Sequence, residues 1–396
     1  MKRIGLFFVL ITFIFSCGSD SGSITIVPTD DNTAQEDPQD DNPDDGNDGN
    51  EGPASEFDDG MMRGLSSVEI VSEMKTGWNL GNSLDVEGPD ETFWGNPVTT
   101  RNMIDEVAGR GFNTLRVPVT WQYHQGGAPD FLVEESWLDR VEEVVNYGRA
   151  NGMYVIVNVH HDDPWIIPTY EKGDEVKDRL SKLWTQIANR FKNYGDYLIF
   201  ETLNEPRYEG TAEEWTGGTA EGRDMVNQYH KTSLDAIRAT GGNNSSRQIM
   251  ISTYAASTIP FVMDALIIPN NDVNTIISLH SYFPFPFTLE GTDTTWGTDQ
   301  DKADLEAEMD RIKAKFVDNG KAVVLGEWAS GNQDNLQDRI AHATFYATAA
   351  AERGFASVWW DNGNNGISSD GLAIFSRQTL TWPFGDIADI IVQANE

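Results

Sequence analysis

Cysteine is nearly absent. Cys17 is the only one in 396 residues, so the mature protein can form no internal disulfide and offers no cysteine cluster to a metal. A chain of this length can bury a sufficient core without such links. Positive charge is scarce too: 28 Lys and Arg stand against 63 Asp and Glu, a formal net charge of −35. That sign argues against nucleic acid and anionic polymers as partners. No internal repeat is found, and no Gly-rich phosphate loop opens the first helical stretch, which counts against a nucleotide-binding doubly wound sheet.

What is present begins with a leader. Met1-Lys2-Arg3 is basic, Ile4 to Phe15 is apolar, and Ser16-Cys17 follows. The apolar run is too short for a permanent membrane span and has the flanks of a signal peptide. Ile14-Phe15-Ser16-Cys17 resembles the bacterial lipobox, in which the cysteine becomes the acylated first residue. The alternative is a soluble secreted protein cut near Ser16. From Pro28 to Asp59 there is no Lys or Arg, and such a stretch cannot bury enough apolar surface to offset its chain entropy. The expected organisation is therefore a leader over residues 1–17, a disordered acidic tether over 18–60 and a folded body over 61–396. An exported protein is expected, anchored through Cys17 at the outer membrane or cell surface, with the periplasmic face as the alternative. The 14 acids between Gly18 and Asp59 carry much of the charge, and about −23 remains on the folded part.

Within the body, short apolar runs alternate with amphipathic stretches. Strands are predicted at Gly77–Leu80, Asn113–Val117, Tyr154–Val159, Tyr197–Leu203, Gln248–Ser252, Thr275–Leu279, Ala322–Gly326 and Ala356–Trp360. Helical periodicity lies between them, for example over Trp137–Ala150, Val176–Phe191, Arg223–Ala239, Lys302–Phe316 and Gln337–Arg353. This alternation implies an α/β fold with a parallel sheet, and eight strands in one domain fit a (β/α)8 TIM barrel.

The polar residues of interest fall just past those strands, where a barrel brings them to one mouth. Asn79 sits at the first strand, Arg116 at the second, and His160-His161-Asp162-Asp163 follows the third. Asn204-Glu205 ends the fourth, His280-Ser281-Tyr282 the sixth, Glu327 the seventh, and Trp360-Asp361-Asn362 the eighth. Two glutamates ending apolar strands, about 120 residues apart, form the pair that glycoside cleavage needs: one acid/base and one nucleophile. Alternation puts His280 and Tyr282 on one side, and sends adjacent His160 and His161 to opposite sides, so that one of the two is expected to face a substrate. Asp162 and Asp163 read as a solvated turn. A metal-dependent barrel hydrolase is the competing reading; it wants ligands that alternate along a strand, and the strand-3 pair is adjacent.

With these residues in place, the chain resembles glycoside hydrolase family 5, the cellulase family of clan A, and in particular its bacterial endo-β-1,4-glucanase and xyloglucanase subfamily 4. The resemblance runs from about Met62 to Ile391. It is carried by Gly77-Trp78-Asn79-Leu80-Gly81-Asn82-Ser83-Leu84-Asp85, the stretch from Gly111 to Trp121, Asn158 to Asp162, Phe200 to Arg207, Gly326-Glu327, and Trp359-Trp360-Asp361-Asn362-Gly363. It implies that Glu205 is the acid/base and Glu327 the nucleophile. Asn204 would bond the sugar 2-hydroxyl, Arg116 and Tyr282 would orient Glu327, and His160 and His280 would line the central subsite above a Trp360 platform. Asn79 and His161 complete the expected substrate-binding set. No cofactor and no metal are implied, and a monomer acting on a β-glucan is expected. For these roles Glu205 should be raised in pKa and Glu327 kept ionised beside Arg116.

The loops at the mouth are aromatic: Trp94, Trp121, Trp165, Tyr208, Trp215, Phe283, Phe285, Phe287, Trp296 and Trp328. As a group they favour an extended cleft that stacks on several pyranose rings and cuts mid-chain. Plain β-1,4-glucan, mixed-linkage glucan and xyloglucan are not separated by the sequence. A xylanase or mannanase on the same scaffold is the nearer competitor, and a non-catalytic surface glycan-binding lipoprotein is the competitor from another class.

Overall fold

The computed structural model describes residues 58–395. The leader, Cys17 and nearly all of the expected tether lie outside the described residues. Eight strands run in parallel and in chain order: β1 (Thr76–Leu80), β2 (Thr114–Val117), β3 (Tyr154–Asn158), β4 (Leu198–Glu201), β5 (Ile249–Ser252), β6 (Thr275–His280), β7 (Ala322–Trp328) and β8 (Ala356–Asp361). β8 pairs with β1 and closes the barrel. The expected (β/α)8 barrel is the observed fold, and each predicted strand lies within two residues of its bounds. The helices are α1 (Ser67–Met74), α2 (Arg101–Gly109), α3 (Glu135–Ala150), α4 (Gly173–Arg190), α5 (Ala220–Ala239), α6 (Pro260–Ala265), α7 (Asp299–Lys315), α8 (Leu336–Glu352) and α9 (Gly385–Gln393). Several begin a turn before their apolar periodicity because the first turn is polar and capped. Thr219 accepts from the Gly222 amide at 2.9 Å ahead of α5, and Thr298 and Asp301 cap α7 reciprocally.

Alternation sorts the strand side chains. Outward residues such as Leu115, Val155, Phe200, Ile251, Leu279 and Leu325 join the helices in the main core. Inward residues form two levels. The lower one is apolar, with Ile156, Ile199, Met250, Ile276, Val324 and Val358 packed on Ile70, Val71 and Met74 of α1. Thus α1, held by the Ser66–Glu69 capping box, plugs the barrel floor. Two residues further along β3, β4 and β6 the inward positions turn polar, at Asn158, Glu201 and Ser278, and Asn79 of β1 and Arg116 of β2 join them, each fully buried.

One strand breaks the alternation. On β7, Ala322 and Val324 point inward while Val323 and Leu325 point outward, so position 327 would fall outside. Pairing with β6 slips at that point, from Leu279↔Leu325 to His280↔Glu327. The extra residue is Gly326, and the shift turns Glu327 into the barrel mouth, as bulges do beside active sites. A Cβ on Gly326 would stand 3.1 Å from Ser278 Oγ and 3.2 Å from His280 Nε2, so glycine leaves the room this turn requires.

Candidate active site

The polar level is a single hydrogen-bonded unit centred on Arg116. Its Nε donates to Glu201 Oε2 at 2.8 Å and its Nη1 to Asn79 Oδ1 at 2.9 Å. Nη1 also reaches Glu327 Oε1 at 2.8 Å, and Nη2 donates to Asn204 Oδ1 at 2.7 Å. Glu201 is held further by Ser278 Oγ at 2.6 Å and Asn158 Nδ2 at 2.9 Å. A buried guanidinium is tolerable only when charge-paired and saturated in this way. Asn79 turns its Nδ2 to the Gly326 carbonyl at 2.9 Å and so ties down the β7 shift. Asn79 and Arg116 are fully buried and face carboxylates, carbonyls and an amide oxygen. They are positioning groups: for Arg116 this is the orienting role the resemblance implies, while Asn79, expected in the substrate-binding set, holds Arg116 and the Gly326 carbonyl.

Above this floor opens a cleft of about 770 Å3, lined by His160, His161, Asn204, Glu205, His280, Tyr282, Glu327 and Trp360, with Trp215 and Phe285 at its walls. Arg116 takes the Asn204 oxygen, which leaves the amide nitrogen as the group Asn204 can offer a ligand. The Tyr282 hydroxyl donates to Glu327 Oε2 at 3.0 Å. His280 Nδ1 lies 2.7 Å from Glu205 Oε1 and 3.6 Å from Glu327 Oε2. One ligand atom from each of Glu205, His280 and Glu327 falls within 4.8 Å of the others. Carboxylates this close match a retaining pair, about 5–5.5 Å apart, and fall short of the roughly 6.5–9.5 Å that an inverting pair needs to seat a water beside the sugar.

Trp360 lies parallel to His160, ring centroids 5.6 Å apart, and Gly81 clears the space for its indole, which a Cβ there would meet at 2.7 Å. Its tandem neighbour Trp359 points the other way, into the core against Trp328. His160 and His161 both line the cleft, their rings 4.4 Å apart and perpendicular. The expectation that only one would face it fails because β3 ends at Asn158 and the backbone beyond it no longer alternates. Asp162 and Asp163 are buried, not solvated. Asp162 accepts from the Trp121 amide and Trp165 Nε1, both at 2.9 Å, and Asp163 meets Arg207 at 3.3 Å.

Of the ten aromatic residues expected at the mouth, Trp121, Phe287, Trp296 and Trp328 are buried in the core. Trp328 stacks on Tyr346 at 4.1 Å, and Trp121 donates its indole N–H to the Asn158 carbonyl at 2.9 Å. Trp94, Tyr208, Trp215 and Phe285 are the exposed ones. Two residues escaped the sequence reading. Glu201 is the counter-charge of Arg116; its signal was a carboxylate at an inward position of an apolar strand. Arg207 spans Asp163, Glu209 and Glu214 and lies 4.6 Å from the Trp215 ring, which it fixes at the cleft wall.

The resting electrostatics run opposite to expectation. Burial pushes the Glu205 carboxyl up, but the His280 contact, the imidazolium charge and Arg207 outweigh it and leave Glu205 below the ordinary carboxylate value. Burial raises Glu327; His280 and Arg116 pull it back, Glu205 pushes it up again, and it ends above that value. Despite its burial, His280 is raised by Glu327 and Glu205. In the free site these shifts favour a charged His280 and an ionised Glu205. Asp85, His160 and His161 also converge within 4.8 Å. Asp85 already accepts the Asn82 and Ser83 amides, and His160 Nδ1 faces Asn158 Nδ2 at 3.1 Å.

A parallel eight-stranded barrel with two facing glutamates at the ends of β4 and β7 has the framework of a glycoside hydrolase. Comparison with known proteins makes this specific. The family model described as cellulase, glycosyl hydrolase family 5, matches residues 79–366, and the chain belongs to that family. It is 52% identical to Endoglucanase B of Clostridium cellulovorans over 326 residues, 81% of this chain and 74% of that one. Among solved structures, ZgEngAGH5_4 in complex with a cellotriose is 60% identical, with a TM-score of 0.82 over 84% of this chain and 99% of that one. A GH5-4 broad specificity endoglucanase from Clostridium acetobutylicum is 50% identical, with a TM-score of 0.82 over 83% and 99%.

Proposed function

We propose that the chain is a retaining endo-β-1,4-glucanase that cuts plant cell-wall glucans inside the chain. The observation that carries this reading is the carboxylate pair, with oxygens of Glu205 and Glu327 within 4.8 Å across His280. At that spacing the second carboxylate reaches the sugar itself. Glu327, oriented by Arg116 and Tyr282, attacks the anomeric carbon. As the glycosidic bond breaks, Glu205 gives its proton to the departing oxygen, and the sugar is left as an ester on Glu327. Glu205, now a carboxylate, takes a proton from water; the water oxygen attacks the same carbon, Glu327 leaves, and the configuration is retained overall.

The Asn204 amide is placed to bond the 2-hydroxyl more strongly as charge develops. Protonated Glu205 arises when His280 passes its Nδ1 proton across the 2.7 Å contact as a bound glycan displaces water and strengthens the case for neutral groups. Trp360 and His160 give the central sugar its flat surface, and Trp215 and Phe285 extend the cleft. The broad specificity of the Clostridium acetobutylicum endoglucanase supports activity on mixed-linkage glucan and xyloglucan as well as on cellulose-type chains. The acidic surface suits a neutral polymer.

Reducing-sugar release from carboxymethyl-cellulose, mixed-linkage glucan, xyloglucan, mannan and xylan tests the proposal, with Glu327→Ala as control. The expected result is activity on β-1,4-glucans that falls by at least about 10⁴-fold in the variant. Binding without cleavage would make this a glycan-capture protein, and activity confined to mannan or xylan would move the substrate. For location, the proposal remains export and a lipid anchor at Cys17. A Cys17→Ala chain recovered from the soluble fraction supports it; unchanged membrane recovery overturns it.

A further inference from the structure

Beside the cleft lies a second concavity that the reaction does not use. It measures about 420 Å3 and sits between the loop after β1 and the start of α3, lined by Asp90, Thr92, His124, Glu134, Trp137 and Arg140 among others. Small-ligand sites span roughly 300–1,000 Å3. His124 and Trp137 form a stacked wall, centroids 3.8 Å apart and 15° from parallel. Arg140 is already matched, to Glu91 at 2.8 Å and the Thr99 carbonyl at 2.6 Å, so Asp90 and Glu134 leave the concavity acidic. His124 and Trp137 are themselves buried and stack on each other, so the concavity offers carboxylate acceptors, which suit the hydroxyls of a neutral sugar and repel anions.

The adjoining surface is apolar. Phe93 is 57% exposed and Tyr123 47%. Phe93 is nonetheless seated, because a Cβ on Gly88 would lie 2.2 Å from its ring and only glycine admits it. Both rings flank the concavity: Phe93 follows Thr92 and Tyr123 precedes His124, two of its lining residues. The partner for this surface follows from continuity with the cleft. Thr92 lines the concavity, Phe93 follows it, and Trp94 packs 5.6 Å from the ring of His161, which lines the catalytic cleft.

We propose that Phe93, Tyr123 and this concavity hold a further stretch of the same glucan chain, beyond the cleft. The proposal rests on the β-glucan reading above. A chain already seated at Glu205 and Glu327 presents its next sugars here at high effective concentration, so the surface adds affinity for polymer and none for a short oligosaccharide.

The test compares the full chain with its Phe93→Ala/Tyr123→Ala form on cellotetraose and on soluble mixed-linkage glucan. The expected result is unchanged kcat/KM on cellotetraose and a KM for polymer raised about three- to tenfold at constant kcat, the loss two stacking rings should cause. Affinity electrophoresis in polymer, with Glu327→Ala as the common background, should show the matching loss of retardation. An unchanged polymer KM overturns the proposal, and so does a parallel loss on both substrates, which would place the rings in the cleft or in folding. An unsubstituted chain inactive on both substrates would instead overturn the glucanase reading, while the electrophoresis would still report on the second surface.

Discussion

The two inward levels of the barrel are carried by the same strands, two residues apart, and they do different work. Ile156 and Asn158 share β3, Ile199 and Glu201 share β4, Ile276 and Ser278 share β6. The lower member of each pair meets α1 in a dry cluster that tolerates approximate shape. The upper member belongs to a network in which Arg116 donates to Glu201, Asn79, Glu327 and Asn204 at 2.7 to 2.9 Å. The lower level stabilises the barrel, and the upper one fixes where Glu327 and Asn204 point. Stability and aim are thus separable along a single strand.

Substitutions can sharpen that separation. The largest expected effect lies above both levels. Glu205→Ala should lower kcat on glucan by about 10²- to 10⁴-fold with an unchanged melting temperature, and lose far less on an aryl glycoside whose leaving group needs no proton. Rate profiles with the two substrates check it; equal losses on both would contradict the acid role.

Next come paired changes on β4. Ile199→Ala should cost about 2–5 kcal/mol of stability, and Glu201→Ala a similar ~3–5 kcal/mol because it strands the buried Arg116 charge. Denaturant melts should therefore look alike. Activity per folded molecule should not: Ile199→Ala keeps it, and Glu201→Ala loses at least about tenfold as Arg116 slackens its hold on Glu327. Equal activities would erase the distinction between the levels.

The smallest effect is on pH. Glu327 must be ionised, so the rate falls as pH drops through its raised pKa. The proton shared by His280 and Glu205 must be present, so the rate also falls as pH rises past the raised imidazole value, above the ordinary 6.5. His280→Asn removes the second proton site and the positive charge that draws Glu327 down. Both limbs of the kcat/KM profile should move inward, the alkaline one further; limbs that stay in place would remove His280 from the proton's path.

Much of this was legible in the residues. Strand ends were readable because buried parallel strands are continuous apolar runs, and Glu205, His280, Tyr282 and Trp360 converge in the cleft where those ends placed them. Glu201 was not given a role because, at the end of an apolar run, nothing in the sequence tells which buried cation answers it. Trp121, Phe287, Trp296 and Trp328 could not be sorted from Trp215 and Phe285, since the same side chains serve as core and as exposed cleft wall. Alternation alone would have sent His161 away from His160, but it stops with the strand, and the resemblance had already put His161 in the substrate-binding set. The inverted preferences of Glu205 and Glu327 depend on a 2.7 Å contact from another strand, which no local pattern encodes.

The slip at Gly326 has a bearing on transplanting this chemistry. Copying the two glutamates onto the matching strand ends of another eight-stranded barrel would fail, because an unslipped seventh strand would aim the second one into the helical shell. The portable unit is larger: the glycine that supplies the extra residue, the glutamate it turns, and the Asn79 amide that fastens the slipped carbonyl from β1, two strands away around the barrel. Its first two members are neighbours in the chain, and the third lies 247 positions away, so a graft succeeds or fails on a residue that never meets the sugar.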